Sequence, residues 1–272
     1  MLVGYYKLFT IFVLYLKKQN IMIYTPELIK SVAPSIFATS ASNKLSNKYV
    51  FVPTDQLIEY FDREGWQISD VKQTGKGIHA THQVRFRNGE LPPVGDTLVE
   101  AIIKNSHNGM STLSVSAGLH RVCCSNGLTV PTSVADKFNV RHSGFELDDV
   151  KRLMDGFSKK LPLIQGSVGR MMERELTIDE QIQYVQKASK IRWAEGSIPS
   201  DNQLVDILTP NRVEDNKNDL WTTFNVVQEK FVRGGFDYRT NTGRKSKLRD
   251  LKSIMAVNTI NTKLWELAEE MI

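Results

Sequence analysis

The amino-acid sequence predicts an α+β protein: an antiparallel β-meander sheet with a covering helix, followed by a mainly helical C-terminal region. Three observations lead to this. Between Gly77 and Val122 apolar residues recur at every second position, the period of a strand with one buried face, and Asn-Gly pairs cut the pattern into segments. Ahead of it, residues 49–68 pass from extended to helical spacing and back. Beyond Gly144 the apolar spacing is three and four, the period of amphipathic helices.

The first residues, LVGYYKLFTIFVLYL before Lys17 and Lys18, are apolar. They make a poor membrane span, because Lys7 interrupts them and the run falls short of the roughly 20 residues a bilayer needs. They also lack a basic leading region and a small-residue cleavage site. No stable membrane insertion is expected. Residues 1–21 read as an N-terminal extension from a misassigned start, with a peripheral anchor as the alternative, and Met22 opens a soluble beginning, MIYTPELIK.

Tyr49 to Val52 reads as a short strand stopped by Pro53. Thr54 or Asp55 then caps a helix with Leu57, Ile58 and Phe61 on one face, Gly65 ends it, and Trp66 and Ile68 begin the next strand. From Gly77, Ile78, Ala80, His82, Val84 and Phe86 share one face, while His79, Thr81, Gln83, Arg85 and Arg87 share a polar, basic one. Asn88-Gly89 turns the chain and Pro92-Pro93 blocks continuation. Leu98 to Ile103 is the next strand, Asn105 to Gly109 reverses it into Thr112 to Val122, and Asn126-Gly127 turns again. Helices are expected at Asp148 to Lys160, Ser167 to Glu175, and from the Thr177/Glu180 capping box to Trp193, where Gly196 breaks the pattern. Others are expected at Asp201 to Leu208, Asp219 to Val232 before Gly234-Gly235, and Thr262 to Met271. Residues 22–145 thus form a sheet domain, with 146–272 a helical region packed on it. Trp221, Phe224, Val227, Phe231 and Trp265 fall at core spacing, leaving Gln228 and Glu229 toward solvent.

The 272 residues carry a net charge of +5, which suits a polyanionic partner without requiring one. The two cysteines, Cys123 and Cys124, are adjacent, so they form neither a long-loop disulfide nor a zinc quartet, and a reducing cytosol is the simplest setting.

Several motifs occur in order: SVAPSIFAT from Ser31, YVFVPT from Tyr49, HATHQVRFR from His79, NSHNGMS from Asn105, GLHRVCCSNGL from Gly118 and VRHSG from Val140. LWTTFNVVQEKFVRGG from Leu220, GRKSKLRDLKSI from Gly243 and KLWELAE from Lys263 complete them. In these the chain resembles the phage- and plasmid-encoded proteins grouped as domain-of-unknown-function family 932. Residues 1–21 fall outside the resemblance. It implies a mobile-element setting and assigns no mechanism, so function is argued from the residues.

The leading partner signal is basic: Arg233, Arg239, Arg244, Lys245, Lys247, Arg249 and Lys252, with Gly243 and Ser246 between them. Guanidinium and ammonium groups beside small residues suit phosphate contacts, though a solvated loop is the plainer reading. Arg85 and Arg87 extend that surface if their strand face is open, and Tyr238 or Phe236 would stack on bases of single-stranded DNA. A second candidate is a polar pocket of Asn105, His107, Arg121, Asn126, Arg141 and His142, with Ser106, Asn108 and Ser125 nearby and Cys123 or Cys124 as a nucleophile given a base. The Asn-Gly pairs in it read as turns. His79 and His82 point to opposite faces of a strand, so no metal site is assigned, and neither a catalytic residue nor a cofactor is.

The leading function is a nonenzymatic DNA-binding accessory protein of a phage, prophage or plasmid, cytoplasmic, binding or annealing single-stranded DNA, with a homo-oligomer as one form. The alternatives are an interaction protein that inhibits a host defence system through a host protein, and a nuclease or nucleotide-processing enzyme built on His107 and Arg121.

Overall fold

The computed structural model describes residues 24–121, 127–129, 138–140, 147–195 and 197–272. Residues 1–21, Cys123, Cys124, Ser125, Asn126, Arg141, His142 and Gly196 lie outside the described residues.

Helix α1 (Pro26–Val32) starts on Thr25, whose hydroxyl accepts from the Leu28 amide, and a 3₁₀ turn, Pro34–Phe37, buries Ile36. Helix α2 (Thr54–Arg63) buries Leu57 and Phe61, and strands β1 (Trp66–Thr74), β2 (Thr81–Asn88), β3 (Thr97–Asn105) and β4 (Leu113–Arg121) follow as an antiparallel meander. Strand β5 (Gly127–Thr129) extends the order after β4, and β6 (Phe138–Val140) also pairs with β4. The register sets Val84 opposite Ile103 and Phe86 opposite Ala101, with Val115 and Ala117 next on the same face. These alternate positions form an apolar layer against Ile36, Leu57 and Phe61. Phe61 stacks on Phe86 with ring centroids 4.4 Å apart, so the covering helix is anchored at the middle of β2.

Helices α3 (Leu147–Glu173), α4 (Ile178–Arg192), α5 (Asp201–Ile207), α6 (Leu220–Arg233) and α7 (Ile254–Glu269) make up the rest, with a two-stranded hairpin of β7 (Asp237–Arg239) and β8 (Lys245–Lys247) between the last two. Trp66 of β1 meets Phe157 of α3 at 5.8 Å, and buried residues of sheet and helices form one hydrophobic cluster. Among the described residues no helix is long and apolar enough to cross a membrane.

The α+β class and the order of the main elements agree with the sequence reading, the β7–β8 hairpin is an addition to it, and five further details differ. Tyr49 to Val52 is not a strand: side chains hold it instead, Asn105 Nδ2 donating to the Val52 carbonyl at 3.2 Å and Tyr49 Oη to the Ser106 carbonyl at 2.8 Å. β2 begins at Thr81, so His79 lies in the turn before it rather than on the strand. The two helices expected between residues 148 and 175 are one, with Pro162 inside. Phe157, Leu161, Ile164, Val168 and Met171 are all buried and keep a four-three spacing through the proline, so packing carries the helix across the missing N–H. The final helix starts at Ile254 rather than Thr262. Finally, α6 buries all but three of its 14 residues, so it is a central helix with no solvent side. Gln228 and Glu229 are therefore inside, Gln228 donating to Asn261 Oδ1 at 2.9 Å and Glu229 paired with Arg212 at 2.5 Å.

Candidate functional site

Four of the sequence motifs converge on one buried knot. Ser35, Thr54, His82 and Asn105 come from the 3₁₀ turn, α2, β2 and β3, and none exposes surface. His82 Nδ1 lies 2.8 Å from Ser35 Oγ and 3.1 Å from the Ala80 carbonyl, and its Nε2 lies 2.8 Å from Thr54 Oγ1. The tautomer follows from the neighbours. Ser35 Oγ donates to Gln73 Oε1 at 2.7 Å, so His82 Nδ1 donates to Ser35 and Ala80. Thr54 Oγ1 accepts from Asn105 Nδ2 at 3.0 Å and spends its own proton on Nε2. Every hydroxyl proton has an acceptor when the imidazole is neutral, and burial lowers its pKa from 6.5 to about 4. His107 packs between His82 and Phe51, with ring centroids 5.2 and 4.7 Å away. This arrangement joins segments and offers no open reacting centre.

The basic face of β2 is also committed. Arg85 donates to Glu100 Oε2 at 2.6 Å and Arg87 to Oε1 at 2.8 Å, and Ser69 Oγ adds a third donor at 2.9 Å. Burial works against the Glu100 charge, but the two guanidinium groups outweigh it and hold the carboxyl down at about 2. Arg85 is 4 % exposed and Arg87 half-buried, so the strand face expected to meet nucleic acid is taken up by an ion triad. Gly118 makes room for it, because a Cβ there would sit 2.9 Å from an Arg85 guanidinium nitrogen and 2.6 Å from Ile102 Cδ1.

The polar pocket expected around His107 and Arg121 does not assemble from its described members. Asn105 and His107 precede β4, and Arg121 ends it, a separation of about 27 Å along a nine-residue strand. Arg121 instead pairs with Asp96 at 2.9 Å and Asp215 at 2.6 Å. Asn108 behaves as a turn residue, its Oδ1 accepting from the Met110 amide at 3.1 Å.

The hairpin is where exposed charge gathers. Tyr238 and Ser246 point inward, and Arg239, Arg244, Lys245, Lys247 and Arg249 are exposed. Arg239 and Lys245 stand directly opposite each other in the ladder, a like-charge pairing that costs local stability. Among the described residues none of these five cations has an ion-pair partner, and only Asp237 and Asp250 offset them between residues 237 and 250. The scaffold beneath is firm. The Gly235 amide donates to the Leu248 carbonyl at 2.8 Å, the Leu251 amide to Val232 at 2.8 Å and the Arg239 amide to Gln203 Oε1 at 2.6 Å. Trp193 Nε1 donates to Tyr238 Oη at 2.9 Å, so Tyr238 is part of the support, not the base-stacking surface expected of it. Phe236 is half-buried against the core. Arg233 and Lys252 flank the hairpin and line, with Arg85, a separate cleft against the sheet.

The partners that decide these arrangements were not legible as site residues. Glu100 had one signal, a lone acid in the polar phase of an apolar strand, but Asp96, Asp215 and Ser35 had none.

Comparison with known proteins places a match to the family model described as "Domain of unknown function (DUF932)" over residues 43–255. The UPF0380 protein YafZ of Escherichia coli strain K12 is 30% identical over 258 residues, covering 91% of each chain. The UPF0380 protein YfjQ of the same strain is 29% identical over 258 residues, again covering 91% of each chain. No solved structure matches.

Proposed function

The chain belongs to the family described as a domain of unknown function (DUF932), and from that premise we propose that it is a nonenzymatic DNA-binding accessory protein of a mobile element, gripping single-stranded DNA with its β7–β8 hairpin. The observation that carries the reading is the outward row of Arg239, Arg244, Lys245, Lys247 and Arg249 on a firmly docked hairpin, including two cations set directly opposite each other. A cation pair that weakens its own hairpin is relieved by a polyanion. The contacts are to phosphate, because the aromatic side chain nearest the row, Tyr238, is buried. Three-residue strands make a patch about 10 Å long, which meets only one side of a stiff duplex, whereas a flexible single strand can bend its phosphates around the cations.

Fluorescence anisotropy of the full chain with single- and double-stranded oligonucleotides between about 50 and 200 mM salt tests the proposal. Binding that is tighter for the single strand and weakens steeply with salt is expected. Absence of binding at the lowest salt by folded protein overturns it and redirects the hairpin to an acidic protein partner.

A further inference from the structure

The sheet face opposite the apolar layer does not close completely on the helices, and the gap that remains has an unusual lining. It is a cleft of about 260 Å³ walled by β1 and β2 on one side and by α6, the segment at Leu251 and α7 on the other. Lys72, Arg85, Arg233 and Lys252 bring four cations to it from four places in the chain, Gln83, Gln228 and Asn258 bring carboxamides, with Asn258 Nδ2 donating to Gln83 Oε1 at 3.3 Å, and among the described residues no carboxylate lines it. The balancing acids stand behind the cations: Asp70 is 3.1 Å from Lys72, Glu100 2.6 Å from Arg85 and Glu229 3.8 Å from Arg233. Among the described residues Lys252 has no such partner, so the lining keeps a positive excess.

Two further observations point to an anion. Arg85 is 4 % exposed, its terminal nitrogens are bonded to Glu100 and the Leu128 carbonyl, and its buried Nε donates to nothing. The 16-residue helix α7 also opens at this cleft with Ile254, whose amide donates to Thr74 Oγ1 at 3.3 Å, and its N-cap Ser253 makes no side-chain cap, so the positive end of the helix lies at the cleft.

We propose that this cleft binds a phosphate monoester. A tetrahedral dianion accepts from several donors at once, which suits a small volume lined by four cations and three carboxamides, and aliphatic Val232 and Val257 leave room for a sugar. The phosphate comes either from a free nucleotide or from the 5′ end of a strand held on the hairpin. The second source rests on the proposed function, and the first does not.

Isothermal titration calorimetry of the full chain with adenosine 5′-monophosphate, adenosine and inorganic phosphate tests the first source. Paired 5′-phosphorylated and 5′-hydroxyl oligonucleotides test the second. The variants are Lys72→Gln with Lys252→Gln for the cleft, and Arg244→Gln with Lys245→Gln and Lys247→Gln for the hairpin. Either the free phosphate ligands or the 5′-phosphorylated strand should bind at least tenfold more tightly than the phosphate-free counterpart, and the cleft variant should lose that preference. The hairpin variant should keep the phosphate preference even if it loses oligonucleotide affinity, which separates a failed hairpin from a failed cleft. No phosphate preference in the wild type, or one undiminished in a folded cleft variant, overturns the proposal.

Discussion

His82 shows how one residue sets a pH response. Its folded pKa of about 4 lies below the ordinary 6.5, so on acidification the unfolded chain takes up the proton first. The stability conferred by the neutral ring is complete above pH 6.5 and is lost as pH falls through 4, amounting to about 3 kcal/mol. His120, lowered to about 4 by burial and by Arg87, titrates in the same window, and Glu100, held at about 2 against 4.5, adds a second loss between those values. Urea midpoints measured from pH 7.5 downward should fall with acid, and His82→Gln should roughly halve the dependence between pH 6.5 and 4; an unchanged slope contradicts the assignment. Glu100→Gln leaves two guanidinium groups uncompensated and should cost about 3–5 kcal/mol at neutral pH by the same measurement. The histidine's partners escape the sequence because Thr54 and Ser35 stand 28 and 47 residues away, beyond any local pattern.

Elements were legible where their signals are local. The Thr177/Glu180 capping box and the Asp219 cap with its closing glycine lie where the residue types demand, since each is completed within a few residues. The early part of α7 was not, because Asn258, Thr259 and Asn261 are weak helix formers and the sheet supplies the stabilisation, Thr74 Oγ1 accepting from the Ile254 amide at 3.3 Å. The β7–β8 hairpin was hidden by its length of three residues per strand. Its attachment makes a prediction at this scale. Gly234 has φ +59°, and a Cβ there would lie 2.6 Å from the Leu248 carbonyl oxygen. Gly234→Ala should displace the hairpin while α6 stays folded, giving a near-native helical circular dichroism signal with at least tenfold weaker DNA binding. Retained affinity would show that the hairpin's placement does not matter.

Across the whole molecule the sheet and the helices are joined by apolar packing and by a relay of charges: Asp96, Arg121, Asp215, Arg212, Glu229 and Arg233, with successive contacts between 2.5 and 3.8 Å. It runs from the end of β4 through the central helix to the base of the hairpin. Asp215 joins two arginines at the middle, so Asp215→Asn should lower stability by about 3 kcal/mol in urea unfolding. A loss well under 1 kcal/mol would make the relay incidental. Such long-range pairing is why the sequence conveyed the layers, their order and the run of basic residues that became the hairpin, but joined Arg85 and Arg87 to that surface: Arg85 is buried and Arg87 half-buried in their pairing with Glu100, and the exposed cations belong to the hairpin. The most direct test of that division is the salt dependence of single-stranded DNA binding by the wild type and by the Arg244→Gln, Lys245→Gln, Lys247→Gln variant. Removing three phosphate contacts should reduce the slope of log K against log salt by about 2, with a matching loss of affinity at low salt. Identical slopes and affinities for the two proteins would contradict the hairpin as the nucleic-acid interface.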